Sequence, residues 1–361
     1  TGKIIMKKDW FEKELGKYSK LTGYKKPEKH SDVIKLDSNE NYAVSKEFLE
    51  KIMNDAKKNM DVREYPLGGT ERLVQNISKY LGMPKEMIGV GNGSDQIIDL
   101  FLSNFTSKDT KILTSDPTFG FFEERCKLYS IPTIKIPFDK NMTLNLEKFL
   151  SNSKKANILY LDTPNNPTGF QFQKRDLERL IREFQGLVII DEAYVEFSDY
   201  SVVEMTKKAS NLVVLRTLSK SFGLAGLRIG YFVTSEKIVD TFTRVIQYPY
   251  PLNTLAIETG ILALQQSKYF TDIANLIKTE RSRIIVNLRQ MKIFEVFDSK
   301  ANFVLFAAGG SGQRIYKALI EQGISIKNLG KIGTHEGCLR VTVGSQDMNS
   351  RFLTAIRDLL N

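Results

Sequence analysis

Cysteine and histidine are almost absent from this chain. Cys126 and Cys338 are the only cysteines among 361 residues, and they lie far apart. Such scarcity excludes a disulfide framework and points to a reducing, cytoplasmic setting. The two histidines, His30 and His335, cannot furnish a zinc ligand set, so no metal is expected. No apolar run approaches the roughly 20 residues that a membrane span needs. No secretory leader is read at the N-terminus. Thr1 and Gly2 ahead of Met6 read as an added stub, with the native start near Met6. Internal repeats and low-complexity stretches are lacking as well.

Charge, by contrast, is plentiful, with a net value of +10. That balance raises the question of nucleic acid. The lysine pairs, among them Lys57-Lys58, Lys154-Lys155 and Lys207-Lys208, are scattered and interleaved with acids. No basic stripe with aromatic spacing forms, which argues against a nucleic-acid partner. The mild positive field suits small anionic substrates.

At 361 residues the chain exceeds the roughly 250–300 residues that one core usually serves, so two domains are expected. An amphipathic helix is read over residues 9–20, with Trp10, Phe11, Leu15 and Tyr18 on one side. A lysine-rich arm and a strand-like Val33–Asp37 follow. Apolar runs at Lys111–Thr114, Ile158–Asp162, Leu187–Asp191, Leu212–Thr217 and Leu227–Val233 read as buried strands. Helical patterns at Ser94–Phe105, Thr118–Leu128 and Gln173–Phe184 lie between several of them. This α/β alternation predicts a mostly parallel sheet covered on both faces, with ligands at the strands' carboxyl ends. From about residue 252 two long helices, Leu252–Gln266 and Tyr269–Met291, lead into an α+β tail. The expected division is an N-terminal arm, 1–37, joined to a small domain, 251–361, with a large domain, 38–250, between them. Substrate would sit in the cleft.

The chemistry centres on Lys220. It follows Leu215-Arg216-Thr217-Leu218-Ser219 and precedes Gly226-Leu227-Arg228. Upstream lie Asn165-Asn166-Pro167-Thr168-Gly169 and Asp191-Glu192-Ala193-Tyr194. Pyridoxal 5′-phosphate needs a lysine for its aldehyde, a carboxylate for its pyridinium nitrogen and cations for its phosphate. Asp191 closes an apolar run, so its carboxylate is buried and requires a partner. A helix-capping aspartate is the plainer alternative. Gly91-Asn92-Gly93-Ser94-Asp95 precedes an apolar helix and suits a phosphate held on backbone N–H groups, although Ser94 or Asp95 could simply be an N-cap. Arg228, with Thr217 and Ser219, supplies further phosphate contacts. Arg340, in Cys338-Leu339-Arg340-Val341-Thr342-Val343-Gly344, reads as an anchor for an anionic substrate group.

These motifs, with Arg63-Glu64-Tyr65-Pro66, resemble those of fold-type I aminotransferases, and most of all the histidinol-phosphate aminotransferase family. The match runs from about residue 20 to the end. It implies a large domain with a mostly parallel seven-stranded sheet between helices, plus a smaller α+β domain. By the same resemblance Tyr194 and Asn166 contact the cofactor's phenolic oxygen, and Phe119 stacks on its ring. Tyr65 reaches the partner subunit's cofactor phosphate in a homodimer with shared sites. Tyr24 and Asn302 line the substrate cleft. Lys327 stands where many relatives have a second arginine, and Gly23 where many have proline. The implied activity exchanges an amine between L-histidinol phosphate and 2-oxoglutarate in histidine biosynthesis. An aromatic amino-acid aminotransferase is the alternative, and a threonine-phosphate decarboxylase a more distant one. A cofactor-binding transcription regulator is set aside, because residues 1–37 are too short for its DNA-binding domain.

Overall fold

The computed structural model describes residues 2–23 and 33–360, with residues 2–8 described in backbone only. Tyr24 and His30 therefore lie outside the described residues. The chain opens with helix α1 (Gly2–Ser19), strand β1 (Ile34–Leu36) and helices α2 (Lys46–Ala56) and α3 (Gly69–Leu81). Strand β2 (Ile88–Asn92), α4 (Gly93–Asn104), β3 (Ile112–Asp116), α5 (Gly120–Leu128) and β4 (Thr133–Pro137) follow. Next come α6 (Leu146–Ser153), β5 (Ile158–Asp162), α7 (Lys174–Glu183), β6 (Leu187–Asp191), β7 (Leu212–Thr217) and β8 (Ile229–Val233). The last third holds α8 (Glu236–Thr241), α9 (Thr254–Gln265), α10 (Ser267–Gln290), β9 (Glu295–Val296) and β10 (Phe303–Ala307). It closes with α11 (Gly312–Glu321), β11 (Ile324–Ile332), β12 (His335–Thr342) and α12 (Gln346–Asp358).

Seven strands form one sheet in the order β2-β8-β7-β6-β5-β3-β4. It is parallel except at β8, which runs antiparallel to both β7 and β2. The near-continuous Val/Ile/Leu runs are explained by burial on both faces, because alternate residues enter different cores. Leu159, Leu161, Val188, Ile190 and Val214 pack with α3, α7 and α9. Ile158, Tyr160, Ile189, Val213 and Leu215 pack with α4, α5 and α8. The fold-type I layering implied by the resemblance is the one observed.

A second, five-stranded sheet has the order β1-β11-β12-β10-β9. β1 joins β11 in parallel, which draws the N-terminal segment onto this smaller sheet. The second core lies between that sheet, α11, α12 and the later part of α10. The divide between the two cores falls inside α10: Phe270 packs in the first, Ala274 and Ile277 in the second. That is later than the expected boundary at residue 251. The reason is α9, whose Ala256, Ile257 and Ile261 fill the core of the large sheet. Helix α1 begins earlier than expected, at Gly2, and Trp10, Phe11, Leu15 and Tyr18 are exposed on the single chain.

The junction of β8 with α4 is unusually tight. A Cβ on Gly230 would strike the backbone of Gly93 and the amide nitrogen of Ser94. Gly230→Ala is expected to lower the unfolding free energy by on the order of 1–3 kcal/mol, read as a lower urea midpoint at unchanged slope, because backbone must move. Gly226→Ala, where a Cβ meets nothing within 4 Å, should cost under about 0.5 kcal/mol.

Candidate active site

The carboxyl ends of the parallel strands open into a cavity of about 760 Å³. Asp162, Asp191 and Thr217 are the last residues of β5, β6 and β7 and all line it. Asp162 and Asp191 are register partners, so two carboxyls meet at adjacent strand ends. Asp162 accepts hydrogen bonds from Asn166 N at 2.7 Å, Thr118 Oγ1 at 2.9 Å and Asn165 Nδ2 at 2.9 Å. Asp191 accepts from Ala193 N at 3.0 Å and Tyr160 Oη at 3.1 Å. Burial pushes Asp162 up to about 6. Burial, and then the charge of Asp162, push Asp191 up to about 7. Asp162 has three donors favouring its ionised form, and Asp191 has two among the described residues.

On the opposite face of the same strand ends, Glu192 and Arg216 form a buried ion pair, Nε to Oε2 at 2.8 Å. Ser201 and the Val202 N–H complete the glutamate's bonding. This pair ties the exit of β6 to β7.

Lys220 lies three residues past β7, and its half-buried side chain faces the cavity. Its Nζ is 3.5 Å from the Ser38 carbonyl and 5.6 Å from the centre of the Tyr194 ring. Burial, and next the charge of Arg340, bring its pKa down to about 8. An amine so placed is a ready nucleophile near neutral pH.

The other end of the cavity suits an anion. The N-cap position of α4 is Asn92, whose side chain makes no cap bond, so neither Ser94 nor Asp95 is the N-cap. Arg228, in left-handed backbone with φ 55°, lies against that turn. Gly93, at φ 78°, has no room for a Cβ beneath the Arg228 guanidinium. Asp95 holds Arg228 through a 2.6 Å bond from Nη2 to Oδ2. Its side chain therefore orients the arginine. Thr217 Oγ1 is 3.0 Å from the Ile229 carbonyl and 2.9 Å from Ser219 Oγ.

The smaller sheet supplies the facing wall. Lys327 on β11 and Arg340 on β12 are direct register partners, and both line the cavity. Arg340 donates from Nη2 to the Asp37 carbonyl at 2.8 Å and from Nη1 to Asn166 Oδ1. Its guanidinium lies 5.1 Å from the Phe303 ring centre. Phe119 lines the cavity as well.

Among the described residues, three expected ones do not line the cavity: Gly93, which packs against the Arg228 guanidinium, Asn302 and Tyr65. Asn302 is fully buried and does not line the cavity. Its Nδ2 donates at 3.1 Å to the carbonyl of Asn39, which left-handed backbone turns out of any strand ladder. Tyr65 is exposed outside the cavity and stacks on Tyr250, ring centres 4.7 Å apart. Residues not anticipated include Asp162, Asn39 and, on the β11–β12 hairpin, Leu329 and Ile332. Asp162 had a signal, since it ends an apolar run just as Asp191 does.

A family model described as "Aminotransferase class I and II" matches residues 31–356. The chain belongs to the class I and II aminotransferases. A histidinol-phosphate aminotransferase from Caldanaerobacter subterraneus subsp. tengcongensis is 34% identical over 329 residues, covering 91% of this chain and 93% of that protein. The solved histidinol-phosphate aminotransferase from Clostridium acetobutylicum is 28% identical with a TM-score of 0.82, covering 91% of this chain and 99% of that one. An L-threonine-O-3-phosphate decarboxylase from Porphyromonas gingivalis shares the fold at 23% identity and a TM-score of 0.78, over 91% of this chain and 99% of that one.

Class I and II aminotransferases work with pyridoxal 5′-phosphate, and the cavity fits it. Asp191, whose donors are both neutral, would face the pyridinium nitrogen. Lys220 would meet the aldehyde, and Arg228 with the start of α4 the phosphate.

The amine's burial has a stability consequence. Its folded pKa of about 8 lies below the unfolded 10.5, so at pH 7 both states are protonated and the folded state bears the whole penalty. Between those values the folded form loses its proton first and the penalty fades. Cofactor-free Lys220→Met is therefore expected to be more stable than wild type at pH 7, by about 1–2 kcal/mol after screening by the open cavity. That advantage should shrink steadily toward pH 10.5 in denaturant titrations.

Proposed function

We propose that this aminotransferase moves the amino group of L-histidinol phosphate to 2-oxoglutarate, giving imidazole acetol phosphate and L-glutamate in histidine biosynthesis. One observation carries the reading. Lys327 and Arg340 stand opposite each other in the β11–β12 ladder and line the same cavity as Lys220. Two adjacent cations suit a dianionic phosphate better than a single carboxylate. The name shared by the relatives supports the same substrate.

The cofactor, once bound, withdraws electrons and so acidifies the substrate's α C–H bond. The chain's own groups do the rest. Lys220 would hold the cofactor's aldehyde and, as a free amine, would serve as the proton carrier beside the substrate's α carbon. Asp191 would pair with the cofactor's pyridinium nitrogen, Tyr194 and Asn166 would contact its phenolic oxygen, and Phe119 would stack on its ring. Gly93, Ser94, Asp95, Thr217, Ser219 and Arg228 form the phosphate cradle. Arg340 and Lys327 would hold the substrate's anionic end. The working unit is a cytoplasmic homodimer, in which Tyr65 serves the partner subunit's cofactor. The exposure of Tyr65 with Val62 and Leu67 beside it supports that arrangement.

Single-turnover spectra with histidinol phosphate, phenylalanine, tyrosine and threonine phosphate test the substrate. Histidinol phosphate should convert the cofactor to its amine form fastest. Removing one charged partner from a desolvated pocket costs roughly 2–5 kcal/mol. Arg340→Ala should lie near the upper end and Lys327→Ala near the lower, mainly in kcat/KM and chiefly for the phosphorylated substrate. Lys327→Arg should be tolerated. Equal losses for phenylalanine would move the aromatic alternative ahead, and carbon dioxide release from threonine phosphate would favour the decarboxylase.

A further inference from the structure

Three consecutive residues after β1 touch three separate parts of the site. The Asp37 carbonyl accepts from Arg340, the Ser38 carbonyl lies 3.5 Å from Lys220 Nζ, and Asn39 Nδ2 donates to Tyr194 Oη at 2.9 Å. Asn39 is the most constrained of the three. It is 2% exposed and left-handed, with φ 56°. Its N–H donates to Thr342 Oγ1 at 3.0 Å, and its carbonyl accepts from Asn302 Nδ2. Thr342 Oγ1 lies 3.4 Å from Asn39 Oδ1, the acceptor within reach of its proton. That contact fits the amide placed with its nitrogen toward Tyr194.

A phenol has one proton and can also accept. Where Asn39 donates into the Tyr194 oxygen, the tyrosine proton is free to point elsewhere. The open side of Tyr194 is the cavity, near Lys220. We propose that Asn39 is a positioning residue: it locks the Tyr194 hydroxyl as a hydrogen-bond donor into the cavity, and it makes that direction depend on the smaller sheet. Thr342 on β12 and Asn302 just before β10 hold Asn39 from that sheet, whereas Tyr194 follows β6 of the large one. A shift between the sheets would reach the tyrosine hydroxyl through that amide, and the ring through its edge-on contact with Phe303 of β10, ring centres 5.2 Å apart. The opposite amide orientation would make Tyr194 donate to Asn39 and leave nothing for the cavity.

The inference rests on the reading of Tyr194 as the donor to the cofactor's ring oxygen, and a sign distinguishes it. The readout is the pH midpoint of the bound cofactor's visible absorbance in the full-length protein, for Asn39→Gly, Tyr194→Phe and the double variant. Glycine keeps the left-handed backbone and removes the amide. Donation to the ring oxygen favours the deprotonated chromophore, so losing it should raise the midpoint. Tyr194→Phe should raise it by about one pH unit, the scale of one hydrogen bond to a charged group. Asn39→Gly should raise it by a smaller amount, and should add nothing in the Tyr194→Phe background. Thr342→Val, which loosens the amide from the other side, should shift it the same way. A lowered or unchanged midpoint in Asn39→Gly, with Tyr194→Phe raised, overturns the inference alone. An unchanged midpoint in Tyr194→Phe overturns it together with the role given to Tyr194. Equal shifts from Asn39→Gly in both backgrounds would mean that Asn39 acts by another route, which also overturns it.

Discussion

Desolvated charge at the ends of β5, β6 and β7 is the constraint on which the site depends. The parallel sheet brings these carboxyl ends together, and the sequence closes two of them with aspartate. Neither carboxyl is comfortable there. Asp162 is satisfied by three donors from the Thr118 and Asn165–Asn166 segments. Asp191 has only a backbone N–H and a tyrosine hydroxyl. Lys220 bears the complementary strain, an amine pressed toward neutrality by burial and by Arg340. A site that holds an acid and an amine away from their ordinary states, with an open cavity between them, gains when a group able to pair with both enters.

The second sheet supplies the cavity's facing wall. Its antiparallel ladder sets Lys327 across from Arg340, so two positive groups share one wall. The same sheet, through β1, delivers Asp37–Asn39 to the large sheet's side of the site. Arg281 of α10 joins the sides again, donating to the Phe197 carbonyl at 3.0 Å and the Ala301 carbonyl at 2.8 Å. Asp191 and Lys220 thus belong to the large-sheet unit, and Lys327 and Arg340 to the smaller sheet.

Much of this was legible in the residues. Runs such as Leu187–Asp191 and Leu212–Thr217 announce buried strands, because both faces are covered and no polar alternation interrupts them. Lys220, Asp191, Asn166, Arg228 and Arg340 sit in motifs whose local chemistry is specific, and the fold brings them to one cavity. The contacts that depend on long-range closure were not legible. Asn39 is an ordinary turn residue until β1 pairs with β11 and sets it against Thr342 and Tyr194. Asn302 turns inward because an orphan carbonyl 263 positions away needs its amide. Helix α9 reads as a partner of α10, and only the packing of Ile257 and Ile261 assigns it to the large core.

Covalent capture of the lysine that meets the cofactor tests the central claim most directly. The protein loaded with pyridoxal 5′-phosphate would be reduced with borohydride, digested and mapped by mass spectrometry. The pyridoxyl group is expected on Lys220 alone, despite the many more exposed lysines, because burial holds its pKa near 8. A pyridoxyl group on another lysine, with Lys220 unmodified, would contradict the assignment of this cavity as the active site.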